Sequence, residues 1–200
     1  MYRYFALIVI IGLSYFLYTK FKQKDILWNE VYSRFLDGVK ISIGNIKNRN
    51  KSDFLYKLRM GFYWFTIILV FLLIVTSFIP VVILGIHISG LFLLIHVIAA
   101  LFFCFTFTGL VLLTAHSNRL LDSDLINQEN KDKLYEKLSY WGIIFFSIPA
   151  IVSIILMLYP IFGSEGIEFL NDTHRYSVLL LIVAATINTY YMIINNKKIN

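Results

Sequence analysis

The chain has 200 residues, of which 58% are hydrophobic, and its mean hydropathy is +0.73. Soluble domains contain only about 45–50% apolar residues, so this composition excludes an ordinary soluble domain and indicates a membrane protein. The net charge of +6 is concentrated on one side of the predicted membrane segments. Because that asymmetry accounts for the charge, nucleic acid is not expected as a partner.

The N-terminal segment is the first predicted membrane-spanning helix. Tyr4–Thr19 is apolar and short enough to suggest a signal peptide, but basic residues follow it and no small-x-small cleavage site is present. The segment is therefore interpreted as a retained first span.

Three further stretches carry no formal charge: 60–118, 138–164 and 176–196. A spanning helix needs about 20 apolar residues, so the first stretch is long enough for two helices and the others for one each. Pro80 and Gly85 place a turn near the middle of the first stretch. The prediction is an all-α, multi-pass transmembrane bundle with five helices, at 4–19, 60–82, 88–117, 140–161 and 173–195.

Lys and Arg residues set the expected orientation. Sixteen of the 18 fall in segment 20–59, loop 117–140 and the C-terminal tail, whereas only Arg3 and Arg175 fall on the other side. The positive-inside rule therefore predicts an outside N-terminus and a cytoplasmic C-terminus. Segment 20–59 is expected to contain an amphipathic helix on the inner membrane surface, with a docking surface for a cytoplasmic partner as the alternative.

The outer loop 162–173 contributes three carboxylates, Glu165, Glu168 and Asp172, and gives the outer face a modest acidic patch. The only cysteine, Cys104, lies within a predicted span, so no disulfide or thiolate cluster is available. It is interpreted as a small apolar residue.

Four histidines are the candidate functional residues, because ionisable side chains inside a membrane are costly. His96 lies 23 residues before Arg119, and His174 lies 23 residues before Lys197. Both helices run from outside to inside, so each imidazole is expected about 35 Å from the inner charge, at the outer rim of the bilayer. Two imidazoles at equal depth on different helices are what bis-histidine ligation of a haem requires.

The neighbours of these histidines suit a flat macrocycle, since small residues such as Ala99 and Ser177 follow them. Arg175 is expected either to contact a haem propionate or to act as a snorkelling anchor. His87 is expected in the outer turn, with two lesser roles: replacing His96 as a ligand or contacting a propionate. His116 is interpreted as a helix-end residue beside the last carbonyl groups.

Two segments resemble the prokaryotic membrane b-type cytochromes that serve formate dehydrogenases, nickel–iron hydrogenases and nitrate reductases. They are SGLFLLIHVIAALFF at 89–103 and HRYS at 174–177. The resemblance implies haem b, electron transfer in the bacterial cytoplasmic membrane, a partner redox subunit and, often, a quinone site. It also implies that the four helices over 60–200 form a haem-binding bundle. The apolar run and the Lys and Arg bias place a first helix at 1–19 and a cytoplasmic segment at 20–59 before this bundle.

The sequence departs from that family in one respect. Members commonly bind a second haem through a histidine about fourteen residues further along the same helix, where this chain has Leu110 and Asn188. A single haem b near the outer face is therefore expected, with electrons passing laterally between a partner subunit and either quinone or another haem subunit. Asn188 is expected to form a hydrogen bond with a neighbouring helix.

Other functions are also compatible with these residues. In a cofactor-free structural or assembly subunit of a respiratory or photosynthetic complex, His96 and His174 would hydrogen-bond across helices. Alternatively, each could ligate a chlorophyll magnesium, which takes one histidine and does not require matched depth. A small transporter is disfavoured, because no predicted span contains an acidic residue. The sequence contains no Ser-His-Asp pattern, phosphate loop or CxxC pair, so the chain is expected to be a non-catalytic subunit.

Overall fold

The computed structural model describes residues 2–24, 29–31, 33, 54–121, 124, 131–159 and 161–196. All of its long elements are helices, and the described residues form no strand. The helices are α1 (Tyr2–Gln23), α2 (Phe54–Leu73, continued by a π-helix over Ile74–Leu84), α3 (Gly90–Thr114), α4 (Lys131–Met157) and α5 (Gly163–Asn196).

Five helices are long and apolar enough to cross a membrane, which confirms the predicted all-α multi-pass class. Their ends differ from the predicted ones. The α4 helix begins nine residues earlier than expected, at Lys131, and α5 begins ten residues earlier, at Gly163. Most of the amphipathic helix predicted within segment 20–59 lies outside the described residues. Between residue 24 and α2 the structure describes residues 29–31 and Ser33, and these are helical.

The described residues divide into two compact units, and α1, α2 and α3 form the first of them. Gly85 ends the π-helix in the left-handed region at φ 72°, where its N–H donates to the Pro80 carbonyl. The Arg3 guanidinium donates to the carbonyl oxygens of Val82 (3.1 Å) and Ile83 (2.9 Å). These bonds satisfy carbonyl groups that a helix end leaves without partners.

Gly85 is required for a second reason. A Cβ atom at this position would collide with the Arg3 guanidinium. Glycine therefore permits both the left-handed backbone and the close approach of Arg3.

The α2 and α3 helices pack through a small apolar core of Leu69, Ala99 and Phe103. At one end of the pair, the Phe62 ring lies so close to Gly109 that a Cβ atom there would be 2.6 Å from the ring. At the other end, the π-helix faces the first turns of α3. This antiparallel packing places Thr76 of α2 beside His96 of α3.

The second unit contains α4 and α5, which form an antiparallel pair joined by residues 158–162. Small residues let two membrane helices approach closely, and both helices bury such residues. A Cβ atom on Gly142 would lie 3.6 Å from the Ala184 Cβ atom. The buried small residues are Ser139, Ser147, Ala150 and Ser153 on α4 and Ser177 and Ala184 on α5.

Candidate functional site

His96 is half-buried and lies beside a hydroxyl group of the facing helix. Its Nδ1 atom is 3.2 Å from the Thr76 Oγ1 atom. The Thr76 hydroxyl donates its only hydrogen to the Leu72 carbonyl, at 2.8 Å. With its hydrogen on the Leu72 carbonyl, the Thr76 hydroxyl accepts from His96 in the tautomer that has its hydrogen on Nδ1 and its lone pair on Nε2.

His174 contacts a backbone carbonyl group of the facing helix through the same ring nitrogen, Nδ1. This half-buried ring places its Nδ1 atom 2.9 Å from the Ala150 carbonyl oxygen of α4. A carbonyl group can only accept a hydrogen bond, so Nδ1 carries the hydrogen and Nε2 carries the lone pair. Histidines that ligate metals commonly have this arrangement, because an oxygen acceptor on one nitrogen fixes the ring and raises the basicity of the other.

The remaining sequence-predicted residues are placed as follows. His87 is exposed in the turn between the π-helix and α3, and His116 is exposed just after the end of α3. The contact of His116 with the last carbonyl groups stays a prediction. Arg175 directly follows His174 on α5 and lies 3.6 Å from the Asp172 carboxylate. His87 and His96 thus belong to the first unit, whereas His174 and Arg175 belong to the second.

The hydrogen bonds of the second unit fix the register of α5 against α4. His174 is level with Ala150, and the Asn188 amide donates to the Glu136 carbonyl (2.8 Å) and the Ser139 hydroxyl (3.2 Å). The expected bond between Asn188 and a neighbouring helix is thereby confirmed. The Asn195 amide also donates to the Glu136 carboxylate.

Thr76 is the site residue that sequence reasoning missed. It lies in the π-helix, in the apolar run IVTSFIP, where a hydroxyl residue four positions before a proline was the available signal. This π-helix spans eleven residues and is longer than the single-turn π-bulges that frequently occur at functional sites. The sequence does not show, however, that this turn widens or that Thr76 faces His96.

An ion pair joins the loop after α3 to the start of α4. The Lys137 ammonium donates to the Asp124 carboxylate, which also accepts from the Leu121 N–H at 2.9 Å. The Lys137 hydrogen bond, followed by that of Leu121, lowers the pKa of Asp124 below its ordinary value of 3.8. The ionised carboxylate is therefore the form that the folded loop favours.

This ion pair predicts a specific loss of stability in acid. Because the pKa of Asp124 is lower in the folded state, its contribution is complete above the ordinary pKa and disappears as the pH falls through the folded value. Thermal unfolding of the purified protein should show that Asp124→Asn loses less stability than wild type as the pH falls from about 5, above the ordinary pKa, to about 2. Lys137→Met should reduce the pH dependence in the same way. Equal pH profiles for all three proteins would contradict this assignment.

No three His, Cys, Asp or Glu side chains gather into a metal-binding group within the part of the chain that the structure describes. A haem needs only two axial protein ligands. The donor chemistry of His96 and His174 fits that requirement, since each ring has an oxygen beside Nδ1 and, in the neutral Nδ1–H tautomer, presents its lone pair on Nε2. Either ring could therefore supply one axial ligand.

Fold and site together define the chain as a helical protein of the multi-pass membrane class, with one hydrogen-bonded histidine in each of two membrane-length helices. No family model, no curated protein and no solved structure matches it.

Proposed function

We propose that this protein is a membrane b-type cytochrome subunit that binds one haem through His96 and His174. The observation that carries the proposal is a shared contact: each Nδ1 atom lies at hydrogen-bond distance from an oxygen of the facing helix, 3.2 Å for His96 and 2.9 Å for His174. In the Nδ1–H tautomer that this contact favours, the lone pair lies on Nε2. In this state an imidazole ligates iron through Nε2 without first losing a proton. The haem, when bound, would supply a one-electron couple.

In this proposal the protein residues position the ligands and exclude water. Thr76 and the Ala150 carbonyl hold the two rings by their Nδ1 atoms, and Arg175 would neutralise a propionate while remaining paired with Asp172. His87 would provide a further propionate contact from the outer turn. Asn188, where an inner haem ligand would otherwise stand, is already hydrogen-bonded to α4, which supports a single haem.

The proposed partners are other subunits of a redox complex in the bacterial cytoplasmic membrane. Electrons would pass between such a subunit and either quinone or a second haem subunit. The chain itself would catalyse no bond-making step.

A cofactor-free structural subunit is the second candidate, and the same hydrogen bonds favour it. His96 joins α3 to α2, and His174 joins α5 to α4, so each ring could serve only to hold a helix pair together. Interhelical hydrogen bonds of this kind contribute about 0.6–2 kcal/mol in membranes.

A reduced-minus-oxidised visible spectrum of the purified full-length protein tests the proposal. We expect the bands of a low-spin b-type haem, their loss in His96→Ala and in His174→Ala, and their retention in His116→Ala, whose ring is exposed beyond the end of α3. A colourless but folded protein would favour the structural subunit. Loss of haem in His116→Ala with retention in His96→Ala would exclude the proposed ligand pair.

A further inference from the structure

The end of α2 next to the turn uses its backbone donors differently from an α-helix. The Pro80 carbonyl accepts from the Gly85 N–H and also from the Ile86 N–H, the latter at 3.0 Å. In an α-helix each N–H donates to the carbonyl four residues back, so the Ile86 N–H would serve the Val82 carbonyl. The Ile86 donor is therefore spent on Pro80, and the Val82 carbonyl needs a donor from elsewhere.

Arg3 of α1 supplies the missing donors. Its Nε atom donates to the Val82 carbonyl at 3.1 Å, and its Nη2 atom donates to the Ile83 carbonyl at 2.9 Å. These two carbonyls are the ones that the Ile86 and His87 N–H groups would serve if the chain continued as an α-helix. One guanidinium thus takes the place of two backbone bonds of a continued α-helix.

Burial makes the Arg3 contact necessary. Val82 is only 1% exposed, so water cannot replace the guanidinium at its carbonyl. A buried carbonyl without a donor carries the full cost of its lost hydration. Ala6 lies one turn after Arg3 on the same side of α1 and is fully buried. This side of α1 is therefore packed, and it holds Arg3 at the end of the π-helix.

Side-chain donors also act where the π-helix begins. The Thr76 hydroxyl donates to the Leu72 carbonyl at 2.8 Å, and the Ser77 hydroxyl donates to the Leu73 carbonyl at 2.9 Å. The π form thus has side-chain donors at both of its ends. Only the donor at the second end, Arg3, belongs to another helix, so α1 can add or remove it.

We propose that Arg3 is a latch that selects between two forms of the Ile74–Leu84 segment. With Arg3 in place, the segment is a π-helix that ends at Gly85 in the left-handed region. Without Arg3, the segment rewinds into an α-helix that continues through Gly85. The Ile86 and His87 N–H groups then satisfy the two carbonyls. Gly85 suits both forms, since glycine adopts left-handed and right-handed backbone about equally well.

The latch couples the position of α1 to the face that α2 presents to α3. A π-helix has more residues in each turn than an α-helix, so rewinding moves the residues after Thr76 to a different side of α2. A movement of α1 that withdraws Arg3 would therefore repack α2 next to the Thr76–His96 contact. His87 would leave the turn and join the helix. The inference does not depend on haem binding.

Backbone NMR of the full-length protein in detergent micelles tests the latch. The Cα chemical shifts of Gly85, Ile86 and His87 distinguish the turn from a helix. In wild type we expect turn values. In Arg3→Met we expect helical values, since loss of the two donors should change the ratio of the two forms at least about ten-fold.

Gly85→Ala opens the latch by a second route. Alanine disfavours the left-handed backbone at φ 72°, and its Cβ atom would collide with the guanidinium, so helical shifts are expected although Arg3 is present. Arg3→Met combined with Gly85→Ala should give no further change, because both substitutions act on one contact. Gly61→Ala is the matched control on α2, where nothing lies within 4 Å of a new Cβ atom, and it should keep the wild-type shifts.

Four results would overturn the proposal. They are helical shifts in wild type, turn shifts retained in Arg3→Met or Gly85→Ala, random-coil shifts in those variants, and equal changes in Gly61→Ala and Gly85→Ala. The Asn188 side-chain amide signals, which report the bond to Ser139 in the other unit, verify that each variant is folded. If Arg3→Met does not fold, Gly85→Ala decides the question alone.

Discussion

His174→Asn is expected to abolish the haem spectrum while leaving the α4–α5 pair folded. The amide nitrogen of asparagine takes nearly the position of the histidine Nδ1 atom, so it can still donate to the Ala150 carbonyl that accepts from His174 at 2.9 Å. Asparagine has no atom at the position of Nε2 and cannot replace it as an iron ligand. The substitution therefore separates ligation from the hydrogen bond between helices.

The measurement is a reduced-minus-oxidised spectrum paired with far-UV circular dichroism during heating. The cytochrome proposal predicts complete loss of the haem bands with a small change in the unfolding midpoint. The structural-subunit alternative predicts a colourless wild type, a near-normal midpoint in His174→Asn and a lower midpoint in His174→Ala, where the donor is missing. A wild-type haem spectrum in His174→Asn would exclude His174 as a ligand.

Thr76→Val removes the hydrogen bond of His96 and keeps its ligand atom, whereas His174→Asn keeps the hydrogen bond and removes the ligand atom. Valine has nearly the shape of threonine but removes the oxygen that accepts from Nδ1, while the His96 ligand atom remains. The haem should be retained with a higher midpoint potential, because a ring without that hydrogen bond is a weaker donor to ferric iron. His96→Asn should instead remove the haem, as at His174.

Uncharged runs predicted the number of membrane helices correctly, but they did not predict where the helices end. The limit of a charge-free run marks where hydrocarbon stops, whereas a helix continues as long as its backbone bonds and side chains allow. The α4 helix extends through the polar residues 131–137, and α5 extends through 163–172. Glu165 lies in the first turn of α5, where a negative charge interacts favourably with the helix dipole.

A side-chain contact could be predicted from the sequence only where a polar residue in an apolar run had to find a hydrogen-bond partner on another helix. Asn188 stands in an apolar run, and an amide there must find a partner, so the bond to α4 could be expected. The Nδ1 partners of the histidines could not be expected in the same way. Thr76 reaches His96 through a π-helix, and His174 binds a backbone carbonyl, which has no sequence signature.

The closeness of α4 and α5 predicts a large steric effect at Gly142. Leucine at this position is expected to destabilise the protein by about 1–3 kcal/mol, because overpacking a tight interface forces side chains and backbone to move. A Cβ atom alone would lie 3.6 Å from the Ala184 Cβ atom, which is ordinary contact, whereas leucine adds three more carbons at this close approach of the two helices. The midpoint of thermal unfolding in detergent measures the effect.

Two matched variants separate this effect from a general cost of replacing glycine. Gly142→Ala should unfold at or slightly above the wild-type midpoint, since it adds only the tolerated Cβ atom and favours the helix. Gly12→Leu makes the same change as Gly142→Leu on α1, where nothing lies within 4 Å of a new Cβ atom, and it should leave the midpoint unchanged. If Gly12→Leu and Gly142→Leu destabilised equally, the α4–α5 contact would not be the cause. Because His174 and Ala150 are held together by the same helix pair, Gly142→Leu should also weaken the proposed haem binding, whereas Gly12→Leu should not.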